Sequence, residues 1–473
     1  MSAFAAQTEA PTVRTGAWAN FRLIPRVETW PAAVSFAQTV PGKLVLLGLF
    51  GLGMRFLLID LTAVAGLTFL FGIITLLPEY RRLVLALAPI FMVVRENLQD
   101  PLNLAATLSV IAIGMALYLC VMRWPKSRFA RRPIVFLLSG FSLLIVCACY
   151  APQHARASAV LWGFVAVLAT YVWFIAYAVT DKSSVPKRDG SLELASLRPL
   201  WGSTNTPFPK GAAYLRRIEA KTPEQLAVVQ LKGLKLLAWA ILLGLGQSLW
   251  YRFFHGRLGI PIASQALAMS VHGTPVAWHL RWAAQILAYF ELLFSVSIFG
   301  HRFIACARFA GFNALRNTYR PLSATTLIDF FNRFYYYFKE LLVDFFYFPT
   351  FLRYFKKHRR LRTIFATCVT ILLGDAFYHI TRDIHFFQER GLWGALASYQ
   401  VEFIYCIALA VGLSISQLRK RGPRPTGFVR GRLLPVCGVG FFYVLISVFE
   451  TDTRTFTLAQ TVRYFASLFF IHF

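Results

Sequence analysis

Charged side chains are scarce in this chain, and acidic ones are scarcer still. Only 15% of its 473 residues are charged, where soluble domains run near one quarter. That shortage leaves too little polar sequence for a large soluble domain. Asp and Glu number 21 against 49 Lys and Arg, a net charge of +28. In a soluble protein such an excess would point to nucleic acid. Here the basic residues lie in short loops between apolar stretches. A positive-inside topology and attraction to anionic head groups explain them, and no nucleic-acid partner is expected.

Familiar chemical motifs are missing as well. The seven cysteines are scattered. Cys147 and Cys149 form a C-x-C inside an apolar run, and no pair has zinc-ligand spacing, so no metal is expected. There is no G-x-S-x-G elbow, no Walker A loop and no H-E-x-x-H. No repeat of about 20–50 residues is visible. Residues 1–41 are polar, then mixed, and carry Arg14, Arg22 and Arg26. They lack the apolar core and cleavage site of a signal peptide, so the first span is expected to remain as an anchor.

What is present is apolar sequence: 57% hydrophobic and 16% aromatic residues, with a mean hydropathy of +0.56. A membrane-crossing helix needs about 20 mostly apolar residues. Residues 43–77 are too long for one span and are interrupted by Arg55 and Asp60, which predicts two short helices or a re-entrant pair. Residues 83–94 are short enough to lie in the interface or against other helices. Further spans are expected over 104–122, 133–150, 158–179, 234–250, 279–300, 363–378, 396–415, 433–449 and 457–470. The expectation is an all-α polytopic membrane protein with about 11 transmembrane helices plus interfacial or re-entrant ones.

Loop charge tests that list. The loop 123–132 holds Arg123, Lys126, Arg128, Arg131 and Arg132, whereas 151–157 holds only His154 and Arg156. Residues 181–232 are basic and 258–278 contain no Lys or Arg. Residues 302–362 are strongly basic and end in Lys356, Lys357, Arg359, Arg360 and Arg362. Residues 383–394 hold one Arg, and 419–432 hold six Lys or Arg. Rich and poor loops alternate, as the positive-inside rule requires, which assigns the rich ones to the cytoplasm. A bacterial inner membrane is the expected location. The layout is then an N-terminal polar or interfacial segment (1–41), N-terminal spans (42–180), a cytoplasmic interfacial segment (181–232) and a C-terminal transmembrane half (233–473). Within the third, 212–231 has helical periodicity and mixed charge, which predicts a helix lying on the membrane surface.

Residues 327–355 read LIDFFNRFYYYFKELLVDFFYFPTFLRYF. Asp329, Arg333, Lys339, Glu340 and Asp344 interrupt the aromatics, too many charges for a lipid-facing span. The segment is expected either to lie at the interface or to enter a protein-lined cavity. His379 is the leading chemical candidate. It falls near the end of a span, with Asp375 four residues before it and Asp383 four after, and His385 follows. An ionisable group at membrane depth points to function, and imidazole suits a general base. The alternative is a structural histidine at the interface. Glu291 and Glu402 lie inside apolar spans and suit a proton or ion path, although no discontinuous helix pair or repeat typical of transporters accompanies them.

The stretch from Asp329 to His379 resembles the membrane-bound O-acyltransferase (MBOAT) family. That family has acidic-Phe-Trp-x-Arg-Trp-His-x-Ser, then Asp-Tyr-x-Tyr-x-Pro. Asp329-Phe330-Phe331-Asn332-Arg333-Phe334-Tyr335-Tyr336-Tyr337 fits the first register, and Asp344-Phe345-Phe346-Tyr347-Phe348-Pro349 the second. A basic loop over 353–362 and an apolar helix ending Gly374-Asp375-Ala376-Phe377-Tyr378-His379 follow in the family's order. The resemblance covers about fifty residues and sets the expected acyltransferase core at 327–379.

The resemblance implies an MBOAT-like acyltransferase. It would move an acyl group from a cytoplasmic thioester, acyl-CoA or acylated carrier protein, to a hydroxyl or amine. His379 would be the general base. Tyr335 occupies the place of a second polar catalytic residue, and Asn332, Arg333, Asp375 and Tyr378 are the implied substrate-binding residues, Arg333 toward donor phosphates. No cofactor beyond the thioester co-substrate is implied. Partners would be membrane lipids, the donor, and a carrier or acceptor protein. Three departures stand out: Tyr335 replaces a His, Asn or Asp, Tyr378 replaces Trp, and Ile380 replaces Gly. They motivate a second reading, a non-catalytic scaffold of the same fold. A transporter is a third.

Overall fold

The computed structural model describes residues 23–58, 60–152, 156–181, 190–202, 205–419, 427–450 and 455–471. Among them the chain is helical, and the one β-type contact is an isolated antiparallel bridge between Glu219 and Phe312. Among the described residues nine helices are long and apolar enough to cross a membrane: Val40–Leu57, Pro101–Arg123, Pro133–Tyr150, Arg156–Thr180, Pro223–Arg257, Trp278–Phe309, Arg359–Arg382, Gln400–Leu418 and Val429–Phe449. The pair Leu61–Leu76 and Pro78–Val94, bent by 112°, adds a tenth if counted as one span. The bent pair combines the second half of 43–77 with 83–94, which the sequence presents as separate features.

The last expected span is corrected. Residues 457–470 hold only the helix Leu458–Ser467. Thr457 caps its start through Gln460, and the carbonyl of Leu468 beyond its end accepts the indole N–H groups of Trp278 and Trp282 at 2.7 and 2.9 Å. Ten residues rise about 15 Å, half the hydrocarbon thickness.

The helix expected over 212–231 is not continuous either. Residues 212–231 divide between Ala212–Ile218 and the start of Pro223–Tyr251. Thr222 caps the second helix through the Gln225 N–H, and Pro223 takes the first-turn position where a missing N–H costs nothing. The break is held by paired backbone groups: Ala220 N–H donates to Gly311 O and Asn313 N–H to Ile218 O, both at 2.8 Å. Arg81 and Arg82 converge on Glu219. Gly311 has φ +92, and a Cβ there would stand 2.5 Å from the Arg81 guanidinium. Leu192, Leu197, Trp201, Thr206 and Phe208 are buried, so this connection is part of the core.

One carboxylate in that connection is poised by burial. Glu193 is buried against Arg216, which also faces Asp181 at 3.6 Å. Burial, and then the charge of Asp181, push the Glu193 carboxyl up to about 8 against the pull of Arg216. The folded state therefore holds this proton more tightly than the unfolded chain. Its stabilisation is complete below about pH 4.5 and is lost as pH rises through about 8. Glu193→Gln, which cannot ionise, is expected to raise the unfolding temperature more at pH ~9 than at pH ~5. Thermal unfolding at the two pH values reads the difference.

The aromatic segment is the protein-lined alternative. It breaks into Leu327–Phe334, Tyr336–Leu342, a π-helical turn Val343–Tyr347 and Phe348–Arg353. The first break falls at Tyr335, with φ −135 and ψ 71. Phe330, Tyr337, Leu341, Leu342, Phe345 and Phe346 are buried. The charges that argued against a lipid-facing span are paired. Arg333 meets Asp329 at 2.7 Å. Lys210 meets Glu340 at 2.9 Å and Asp344 at 2.6 Å, and Lys339 also contacts Glu340. Burial raises the Glu340 carboxyl, but Lys210 and Lys339 outweigh it and hold the group below its ordinary range. Glu340→Gln would leave the buried Lys339 without its carboxylate and Lys210 with Asp344 alone. A cost of about 3 kcal/mol is expected, measured as a lowered denaturation midpoint in detergent.

Candidate functional site

His379 lies on the helix Arg359–Arg382, whose middle, Val369–Asp375, is π-helical. Such turns carry an extra residue and recur at functional sites. The stretch packs against another π-helical turn, Val343–Tyr347. A Cβ on Gly374 would stand 2.7 Å from the Phe346 ring, so glycine permits the close approach. The two irregular turns thus brace each other just before His379.

The imidazole is buried and faces two carboxylates. Nε2 lies 2.9 Å from Glu402 Oε1 and 3.5 Å from Asp375 Oδ1. Cys406, one turn after Glu402, directs its thiol to Asp375 Oδ2 at 3.6 Å. The Tyr399 hydroxyl donates to the His379 carbonyl at 3.4 Å. A carboxylate beside Nε2 favours the tautomer that carries its proton there. In the neutral ring the remaining nitrogen then bears the lone pair. That atom, Nδ1, is buried with no hydrogen-bond partner among the described residues. Buried polar atoms without partners are rare in native proteins and call for an explanation.

The other buried or half-buried histidines differ. His255 uses both nitrogens, one on Ile260 O and one on Glu291, each at 2.6 Å. His301 places Nδ1 on its own helix, 2.6 Å from Ser297 O. A histidine of the His255 kind has no nitrogen left for a reactant, and it accounts for Glu291 without an ion path.

Tyr378, which precedes His379 in the chain, belongs to a line of three hydroxyls. Thr206 Oγ1 sits 2.8 Å from the Tyr378 hydroxyl and 3.2 Å from that of Tyr335. The Tyr378 ring packs on Phe338, centroids 4.5 Å apart. On the next turn Thr381 accepts the Trp173 indole N–H at 2.9 Å. The break in the aromatic segment at Tyr335 and the buried loop carrying Thr206 are what bring these residues together.

Of the residues singled out from sequence, His379 and Asp375 meet directly, and Tyr335 and Tyr378 meet through Thr206. Arg333 is committed elsewhere, to Asp329 and to the Ser323 hydroxyl at 3.1 Å. Asn332 lines a separate cavity of about 30 Å³ with Lys339, Thr367 and Gln417, room for about one or two waters. Asp383, the second carboxylate at helical spacing, turns to Arg382 at 2.8 Å. The role of partner falls to Glu402. Its lone carboxylate in an apolar span was the legible signal. Nothing in the sequence marks Thr206. Among the described residues no cluster of three or more His, Cys, Asp or Glu is arranged to hold a metal ion. No protein-family model and no curated protein matches the chain.

Proposed function

We propose that the chain is a membrane-bound acyltransferase. It transfers an acyl group from a cytoplasmic thioester, acyl-CoA or an acylated carrier protein, to a hydroxyl or amine. The observation that carries this reading is the unpartnered, buried Nδ1 of His379, with Nε2 held against Glu402 and Asp375. A carboxylate-oriented imidazole with one open nitrogen is the arrangement a general base requires. The resemblance of residues 327–379 to the MBOAT family supplies the reaction class.

In the proposed reaction Nδ1 takes the proton of the acceptor O–H or N–H as that atom attacks the thioester carbonyl. Glu402 and Asp375 stabilise the imidazolium that forms. The tetrahedral intermediate collapses with cleavage of its C–S bond. The imidazolium returns the proton to the departing thiolate, leaving ester or amide, free thiol and neutral His379. The hydroxyls of Tyr335, Thr206 and Tyr378 are the nearby donors suited to the carbonyl oxygen. This gives Tyr335 a role that needs no base, since phenol is too weak a base near neutrality.

Tyr335 itself favours the second reading, a non-catalytic scaffold. Thiol release by the purified protein separates the two. Short-chain acyl thioesters are incubated with hydroxyl and amine acceptors. Acceptor-stimulated release supports transfer, and no release above the buffer rate with any donor supports the scaffold.

A further inference from the structure

We propose that Arg302 binds the phosphate of the thioester donor, an inference that rests on the acyltransferase reading. Arg302 is half-buried near the end of helix Trp278–Phe309 remote from the Lys/Arg-free loop 258–278. Its guanidinium lies over two rings, 5.6 Å from the centroid of Phe299 and 5.0 Å from that of Phe303. Among the described residues it has neither a carboxylate nor a hydrogen-bonding partner. Its five N–H donors are therefore unused by the described residues. A partly desolvated cation in that condition is matched by an anion, and the planar fork suits phosphate.

A continuous aromatic wall links Arg302 to His379. Phe303 stacks on Phe208 at 5.7 Å, and Phe208 stacks on Tyr335 at 6.2 Å. Tyr335 joins Tyr378 through Thr206, and the Tyr378 and His379 rings are 6.0 Å apart. Phe208, Phe303 and Tyr378 are buried, while Phe299, Arg302, Tyr335 and Phe338 stay partly exposed along it. The wall has one charged end, at the half-buried Arg302, and one basic end, at the buried His379. An acyl donor has the same polarity: an anionic phosphate, an uncharged pantetheine arm, and a thioester. Arg333, the sequence-level choice for this role, is already neutralised by Asp329.

The test compares three ligands that differ in phosphate: pantetheine, 4′-phosphopantetheine and coenzyme A. Equilibrium binding is measured for wild-type, Arg302→Gln and Arg302→Lys protein in nanodiscs. Arg302→Gln is expected to weaken the phosphorylated ligands about tenfold while changing pantetheine less than about twofold, with Lys intermediate. A loss seen with both phosphorylated ligands places Arg302 on the phosphate that carrier proteins share with coenzyme A. A loss with coenzyme A alone places it on the nucleotide phosphates. Equal loss for pantetheine would mark a structural wall residue and overturn the proposal. So would unchanged binding in Arg302→Gln, or no wild-type preference for phosphorylated ligands. Catalysis is read separately, from thiol release by His379 variants. Arg302-dependent binding without turnover would sink the acyltransferase reading alone, and turnover indifferent to Arg302 would sink only this one.

Discussion

Replacing His379 by Ala is expected to lower acyl transfer about 10³–10⁴-fold, the range over which a positioned general base acts. The loss should fall on kcat with little change in KM, because Nδ1 takes the acceptor proton only as the transition state forms. Donor binding is expected to survive, since Arg302, Phe303, Phe208 and Tyr335 of the wall lie on other elements. The deleted ring is buried beside Glu402 and Asp375, so His379→Ala also leaves two carboxylates close together. His379→Gln fills most of the space and keeps a donor toward Glu402. Equal loss in both variants assigns the defect to proton transfer, and unchanged turnover in either would remove His379 from the mechanism.

The second large effect is expected from Glu402→Gln, about 10²–10³-fold on kcat. The amide is nearly isosteric, so packing is preserved. The carboxylate is lost, and with it the preference for a proton on Nε2 and the stabilisation of the imidazolium. Asp375→Asn should cost less, about tenfold, because Asp375 stands farther off at 3.5 Å and shares its charge with the Cys406 thiol. Steady-state kinetics of the two variants give the ranking. A larger defect in Asp375→Asn would reverse the assignment of partner and assistant.

Much of the architecture was legible because a bilayer imposes length and polarity on each span. Pro101–Arg123, Pro133–Tyr150 and Gln400–Leu418 stand within about four residues of their expected bounds. Residues 457–470 misled because apolar composition does not record the stop after Ser467, which depends on Trp278 and Trp282 reaching from a helix distant in sequence. Residues 181–232 misled in the opposite sense. Their polar, Pro- and Gly-containing composition reads as surface, whereas Glu193 and Glu219 are carried inward by Arg216, Arg81 and Arg82.

At the site, helical spacing joined Asp375 to His379 because a four-residue offset is a local property. It could not choose between Asp375 and Asp383, whose carboxylate turns to Arg382 at the helix end. Glu402 and Thr206 come from elements whose approach is decided by tertiary packing. Glu402 still announced itself by the cost of placing a carboxylate among apolar residues. Thr206 did not, since a threonine in a loop costs nothing until two tyrosine hydroxyls close on it.

The central claim is that Nδ1 of His379 is open to a reactant. The most direct measurement is an experimental density map of the protein with a non-hydrolysable thioester analogue. The account predicts analogue density ending within about 3.5 Å of Nδ1, with the Nε2 edge still facing Glu402. Density with the analogue absent, or bound with its thioester away from Nδ1, would contradict it.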